Sequence, residues 1–252
     1  QARSMLHDFR MSRLAARARH GLQSHTNMGA LIRKEVQVFL GSLIGHLVIG
    51  VFLLITGLFL WVFPGNILDL GYADLGPLFQ VAPWVFLFLV PAVTMRSFSE
   101  ERRTGTMELL LTKPVSELRL VLSKYLAAVL LVVLALLPTL LYWYSIGRLA
   151  VPAWSLDNGA IRGSYIGLFF LASTFTAVGL FASALTENQI VAFLVAVFLC
   201  FILYVGFDML ADFSSIGALE GTLKGMGIEQ HYASMRRGVI DLRHVLYFLG
   251  VD

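Results

Sequence analysis

M-R-S-F-S-E-E-R-R-T-G-T-M-E-L-L-L-T-K-P, residues Met95 to Pro114, is the longest densely charged segment of a chain that is otherwise largely lipid-soluble. It carries Arg96, Glu100, Glu101, Arg102, Arg103, Glu108 and Lys113. An apolar run ends just before it and another begins just after it. A central Arg or Asp costs about 2.5–3.5 kcal/mol in hydrocarbon on insertion scales, so this segment belongs on the water side. It reads as an elbow between two membrane spans, and the question of function becomes what the elbow touches.

Outward from the elbow, the apolar runs are each close to the ~20 residues that cross about 30 Å of hydrocarbon. Before it lie spans at about 40–63 and 78–95, and after it spans at about 120–144, 164–185 and 189–210. A sixth begins at 245 with V-L-Y-F-L-G-V and is cut short at Asp252. Lys124, in the first turns of the third span, is expected to reach back to the surface. Ahead of the first span, Arg33, Lys34, Glu35 and Gln37 oppose Leu31, Ile32, Val36, Val38 and Phe39, the pattern of an amphipathic helix lying at the interface. The fold class is therefore all-α, a polytopic helical membrane bundle. Residues 1–27 are arginine-rich and unlike the rest. They read as upstream or vector-derived sequence ahead of a natural start at Met28, or else as a basic cytoplasmic tail.

Composition agrees. Of 252 residues, 58% are hydrophobic and 14% charged, against about 25% charged in soluble domains. The net charge of +3 fits basic membrane flanks better than nucleic-acid binding. Cys200 is the single cysteine, which excludes an intramolecular disulfide and a cysteine-based metal site. With the N-terminus inside, thirteen Lys and Arg fall on the inner side and six outside. Without residues 1–27 the tally is eight against six, but the short loops still give six inside and none outside. This predicts a cytoplasmic N-terminus. Trp61, Trp84, Tyr142, Trp143, Tyr144 and Trp154 are expected near span ends as interfacial anchors.

Within the elbow, Ser97-x-x-Glu100 fits a capping box. Ser99 to Arg103 then forms a short helix with carboxylates early and guanidiniums late, as the helix dipole favours. Gly105 ends it in the left-handed conformation. Thr106 caps a second piece, Met107–Thr112, and Ser116 caps the long helix of the third span. The alternative is an ordinary solvated loop of paired charges.

The pattern E-E-R-R-T-G-T-M-E-L-L-L-T-K-P, followed by a basic run into a span, resembles the permease subunits of ABC-2-type ATP-binding-cassette transporters. E-Q-H-Y at Glu229–Tyr232 and S-M-R-R-G-V-I-D-L-R-H-V-L-Y-F-L extend the likeness, most closely to GldF-type permeases associated with gliding motility. The resemblance covers roughly residues 28–252. It implies a six-span half-transporter that pairs with a second copy or a related permease in the bacterial inner membrane. It also implies that the elbow is the coupling helix seated on a separate ABC ATPase subunit. That role falls on Glu100, Glu101, Arg102, Arg103, Gly105, Thr106 and Glu108. The 211–244 stretch is similar to a partly re-entrant external segment.

Other residues are weighed singly. Gly41 and Gly45 form a GxxxG, extended by Gly50 and Gly57 into a small-residue face suited to close helix contact. Pro83, Pro91 and Pro138 are expected to kink their spans. His46 either lines a path or packs at the interface. The hydroxyls of Ser173, Thr174, Thr176, Ser183 and Thr186 either bond their own backbone or line a conduit. Asp208 near the outer end of the fifth span reads as a surface carboxylate, with a functional role as the rival. His231 and His244 are too far apart in sequence for a local ligand pair. G-x-x-x-x-G-K-[ST], H-E-x-x-H and G-x-S-x-G are all absent, so a non-catalytic chain is expected, with no cofactor or metal of its own and ATP held by its partner. Two rivals remain at this point. A self-sufficient secondary transporter fits poorly, because the mid-span regions are nearly free of charge. A structural anchor for a motility or secretion machine fits the same pattern.

Overall fold

The computed structural model describes residues 28–107, 116–213, 221, 224–239 and 241–251, and all regular structure among them is helical. The helices are α1 (Met28–Leu40), α2 (Leu43–Trp61), α3 (Ile67–Leu70), α4 (Gly76–Thr94), α5 (Ser99–Arg103) and α6 (Glu117–Leu136). They continue with α7 (Leu140–Leu149), α8 (Asn158–Leu185), α9 (Gln189–Phe201), α10 (Phe207–Phe213), α11 (Ile228–Arg236) and α12 (Leu242–Val251). Five helical units are long and apolar enough to cross a membrane: Leu43–Trp61, Gly76–Arg103, Glu117–Leu149, Asn158–Leu185 and Gln189–Asp212. They agree with the five expected spans, and α12 occupies the start of the expected sixth.

Length explains the elbow. The Gly76–Arg103 unit has 28 residues, about 42 Å at 1.5 Å per residue, and a hydrocarbon core takes only about 30 Å of it. The remainder, a turn at residues 95–98 and then α5, must project. The Glu117–Leu149 unit has 33 residues, so the first turns of α6 project beside α5. α1 lies along α6, and α8 sits centrally against α4, α9 and α11.

Polar side chains set the helix starts. Ser42 caps α2 by accepting from the Gly45 amide at 3.0 Å. Asp157 caps α8 through the amides of Gly159 and Ala160, and Asn188 caps α9 through that of Ile190. The first cap corrects the small-residue face expected on span 1. Ser42 also donates to the Phe39 carbonyl at 2.7 Å, which ends α1 and turns the chain. Gly41 therefore sits in the turn and Gly45 in the first turn of α2, so the GxxxG marks a corner. Gly50 faces open space, and a Cβ on Gly57 would meet the Tyr142 hydroxyl. His46 is exposed and only bonds back to the Ser42 carbonyl, at 3.0 Å.

Of the three prolines, only Pro138 interrupts its span, in a 3-10 turn over Leu137–Thr139 between α6 and α7. α4 continues through Pro83 and Pro91. The third span runs on to Leu149, so Tyr142 is not terminal as expected. Its hydroxyl donates to the Leu53 carbonyl at 2.9 Å, half-way along α2. Trp84 likewise lies well inside α4, edge-on to Tyr204 at 5.8 Å. Trp143 and Tyr144 also lie within α7 and pack against Trp154, which follows its end.

The fifth span carries a π-helical stretch at Ile202–Gly206 that the apolar pattern does not reveal. The widened turn directs Tyr204 inward, against Trp84 and Phe175. α11 then closes over the bundle, with the Tyr232 hydroxyl donating to the Phe79 carbonyl at 2.6 Å.

Candidate functional site

The candidate site is the elbow, and three anchors hold it. α5 has Glu100 and Glu101 in its first turn and Arg102 and Arg103 in its last, as the dipole argument requires. The expected capping box is absent. Phe98 is the N-cap residue of α5 and makes no capping bond from its side chain, and the Ser97 carbonyl accepts from Lys124 Nζ at 2.6 Å. The cap comes instead from α8. Ser183 Oγ accepts from the amides of Phe98 (3.0 Å) and Ser99 (3.2 Å) and donates to the Met95 carbonyl at 3.0 Å. One hydroxyl from the fourth span thus satisfies the amides that start the elbow helix, the orphan donors every helix must place. Arg102 adds a bond to the Ala184 carbonyl.

The second anchor overturns the expectation for Lys124. Its side chain is 2% exposed and makes ion pairs with Glu101 at 2.7 Å and Glu35 at 3.5 Å. Its ammonium also lies 5.2 Å from the centroid of the buried Phe98 ring. A buried lysine needs such partners, because an unpaired charge in a low-dielectric interior is very costly. One ammonium therefore joins α1, the elbow and α6. The sequence held a signal for this. Lys124 shares a helical face with Ala127, Ala128 and Leu131, and a charge on a core-facing stripe implies a buried partner.

The third anchor is the close approach of α4 and α8. A Cβ added at Gly179 would lie 2.1 Å from Thr94 Oγ1, so the last residue of α4 packs directly on the α8 backbone.

Among the expected partner-binding residues, Glu100, Arg102, Arg103, Gly105 and Thr106 are exposed, and Glu101 is turned inward to Lys124. Gly105 adopts φ +68°, the expected helix stop. The Thr106 hydroxyl donates to the Glu101 carbonyl at 3.3 Å, so it closes the end of α5. Glu108 and most of the expected second piece lie outside the described residues, as do residues 1–27. Ser116 stands at the N-cap of α6, with no hydrogen bond from its side chain.

Of the span-4 hydroxyls, Thr176 bonds its own backbone at 2.7 Å, Ser173 meets Tyr125 and Ser183 holds the elbow. The first alternative read from sequence holds for Thr176, Ser173 and Ser183 tie neighbouring helices together, Thr186 accepts from the Asn188 amide at 3.2 Å, and the buried Thr174 hydroxyl has no hydrogen-bond partner. Ser183→Ala is expected to cost about 2 kcal/mol, since it strips the acceptor from two buried amides. Amide exchange at residues 97–103 should accelerate while that of α9 stays unchanged.

Far from the elbow, the fold corrects the reading of His231 and His244. Their Nδ1 atoms are 2.7 Å apart. His231 Nε2 lies 2.9 Å from the Gly225 carbonyl, which fixes the tautomers. Nε2–H donates to that carbonyl, and His244 Nδ1–H donates to His231 Nδ1. Tyr247 stacks on His231 at 3.9 Å. Burial, and next the adjacent His231, push His244 below its ordinary value of 6.5. The folded state therefore binds fewer protons than the unfolded one as pH falls below about 6.5, and stability from this contact fades on acidification. Exchange at α12 should rise as pH falls below about 6.5, and His244→Gln should flatten that dependence.

A comparison with curated proteins finds no match. Residues 66–224 match the family described as ABC-2 family transporter protein. The matched stretch takes in the second span, the elbow and the third to fifth spans, more than half of the sequence. The chain is a member of the ABC-2 transporter family.

Proposed function

We propose that the chain is the permease subunit of an ATP-driven exporter, with α5 and the turn through Thr106 as the coupling helix that receives force from a separate ATPase subunit. ABC-2 permeases work with an ABC ATPase in general. The observation that carries the finer reading is mechanical. α5 projects from the end of the second span, and Ser183 and Lys124 tie it to the fourth and third spans. Its free edge presents Glu100 and Arg103 to solvent. A push on that edge is delivered to three spans together, and exposed charges of both signs suit the selection of one partner.

Two further parts of the reading have support of their own. The first and fifth spans bury 22% of their residues, against 56–67% for the other three, which supports pairing with a second permease copy through those faces. The distribution of Lys and Arg supports a cytoplasmic N-terminus in the inner membrane. The narrower link to gliding motility rests on the likeness at 229–232 and 234–249 alone.

Glu100→Arg combined with Arg103→Glu should abolish co-purification of the ATPase subunit while thermal stability changes by less than about 0.5 kcal/mol, as expected of exposed charges. Undiminished recovery of the ATPase would overturn the docking role.

A further inference from the structure

The cluster of His231, His244 and Tyr247 joins α11 to α12, and its contacts aim two ring nitrogens at each other. His231 Nε2–H donates to the Gly225 carbonyl at 2.9 Å, which leaves the Nδ1 lone pair turned to His244. His244 Nδ1 stands 2.7 Å away. Tyr247 stacks on the His231 ring with the planes 14° apart, and its hydroxyl donates to the Met226 carbonyl at 2.5 Å. A carbonyl on the far ring nitrogen is the usual partner of a metal-ligating imidazole, because it fixes both tautomer and ring direction. Both rings are partly exposed, so an ion can reach them from water. Burial and the adjacent His231 favour the neutral form of His244, and the neutral imidazole is the form that ligates metal.

We propose that His231 and His244 clamp one divalent transition-metal cation, of which Zn²⁺ is the probe, between their Nδ1 atoms. The ion replaces the hydrogen shared by the two nitrogens, and His244 carries its proton on Nε2 instead. Zinc–nitrogen bonds of about 2.0–2.1 Å at a tetrahedral angle set two nitrogens about 3.3 Å apart. The pair therefore opens by about 0.6 Å, a shift that the partly exposed His244 ring supplies. Groups of three or more His, Cys, Asp or Glu placed to hold an ion are absent among the described residues. The clamp thus has two protein ligands, and water fills the other positions. The charges that act on His244 are those of Asp241 and Arg243, of opposite sign, so nitrogen chemistry governs the choice of ion. Imidazole suits zinc, copper and nickel, whereas magnesium and calcium take oxygen. α12 occupies the start of the sixth span, and α11 is held to the second span by Tyr232. An ion across the pair therefore fastens the sixth span to the second.

The test is amide hydrogen exchange of the full chain in detergent at about pH 7.5, above the histidine range, with ZnCl₂, with MgCl₂ or with neither. Zinc at ten times its Kd should slow exchange in α12 about tenfold, the factor 1 + [L]/Kd for a ligand bound to the closed form alone. Magnesium should leave exchange unchanged. His231→Gln and His244→Gln should each abolish the zinc effect, and His46→Gln should retain it. His7, His20 and His25 can also take up zinc, but the readout is confined to α12. If His231→Gln does not fold, His244→Gln repeats the test, and the contrast of zinc with magnesium needs no variant. Exchange unaltered by zinc, equal slowing by magnesium, or undiminished slowing in a folded His244→Gln would each overturn the proposal. Neither the elbow nor an ATPase subunit enters this experiment, so its outcome is separate from that of the coupling reading.

Discussion

Lys124→Ala is expected to destabilise the elbow by about 2–4 kcal/mol and to uncouple transport from ATP hydrolysis. The change removes the cation paired with Glu101 and Glu35 and strips a donor from the Ser97 carbonyl. Breaking a buried ion pair from one side costs about 3–5 kcal/mol, because the abandoned charge stays in low dielectric. The lower figure here allows for Glu35, whose side chain is 32% exposed and largely screened, against 17% for Glu101. A rank order follows from the same geometry. Glu101→Ala should cost less than Lys124→Ala, and Glu35→Ala should cost only about 0.5 kcal/mol. Charge reversal separates neighbours in the same way. Glu100→Lys changes an exposed edge, whereas Glu101→Lys sets a second ammonium against Lys124. Thermal melts of the five variants, paired with ATPase activity and transport of the reconstituted complex, would check this. If Lys124→Ala melted like the parent and kept its coupling, the buried ammonium would be incidental to the elbow.

The elbow was legible where the cause is local. Glu100, Glu101, Arg102 and Arg103 follow the helix dipole, and Gly105 ends the helix with φ +68°. Spans are local too, since a run of apolar residues has only one way to satisfy its backbone in lipid. What escaped was every feature made by two distant segments. The cap on α5 comes from Ser183, 84 positions from Ser99, and the Ser97-x-x-Glu100 pattern was a false local substitute. Lys124 looked like a snorkelling residue because its partners lie 23 residues away at Glu101 and farther still at Glu35. His231 and His244 meet only because α11 and α12 fold together. Gly41 and Gly45 show the opposite failure. A pattern with a well-known use was present, but the Ser42 hydroxyl turned the chain within it.

Gly179→Ala should destabilise the transmembrane bundle by about 1–3 kcal/mol, the usual cost of forcing atoms into a packed core. A new Cβ would lie 2.1 Å from Thr94 Oγ1 and 3.0 Å from Thr94 Cβ. Thr94 is fully buried and its hydroxyl already donates to the Val90 carbonyl at 2.9 Å, so turning away from a new Cβ would break that bond. The helices must part, and they would part where the second span hands over to the elbow. Gly50→Ala makes the control, because nothing lies within 4 Å of a Cβ there. In an exposed helix that change should be neutral or add up to about 1 kcal/mol of stability. Thr94→Ala supplies the decisive arm. It deletes Oγ1, whose hydrogen bonds go only to carbonyls of its own helix, so alone it should be mild. Combined with Gly179→Ala it should recover most of the lost stability and the exchange protection of residues 97–103. Two residues in direct contact must show such non-additivity. Strict additivity of the two changes would mean that α4 and α8 do not meet at this point, and the elbow would lose the rigid footing from which it is argued to act.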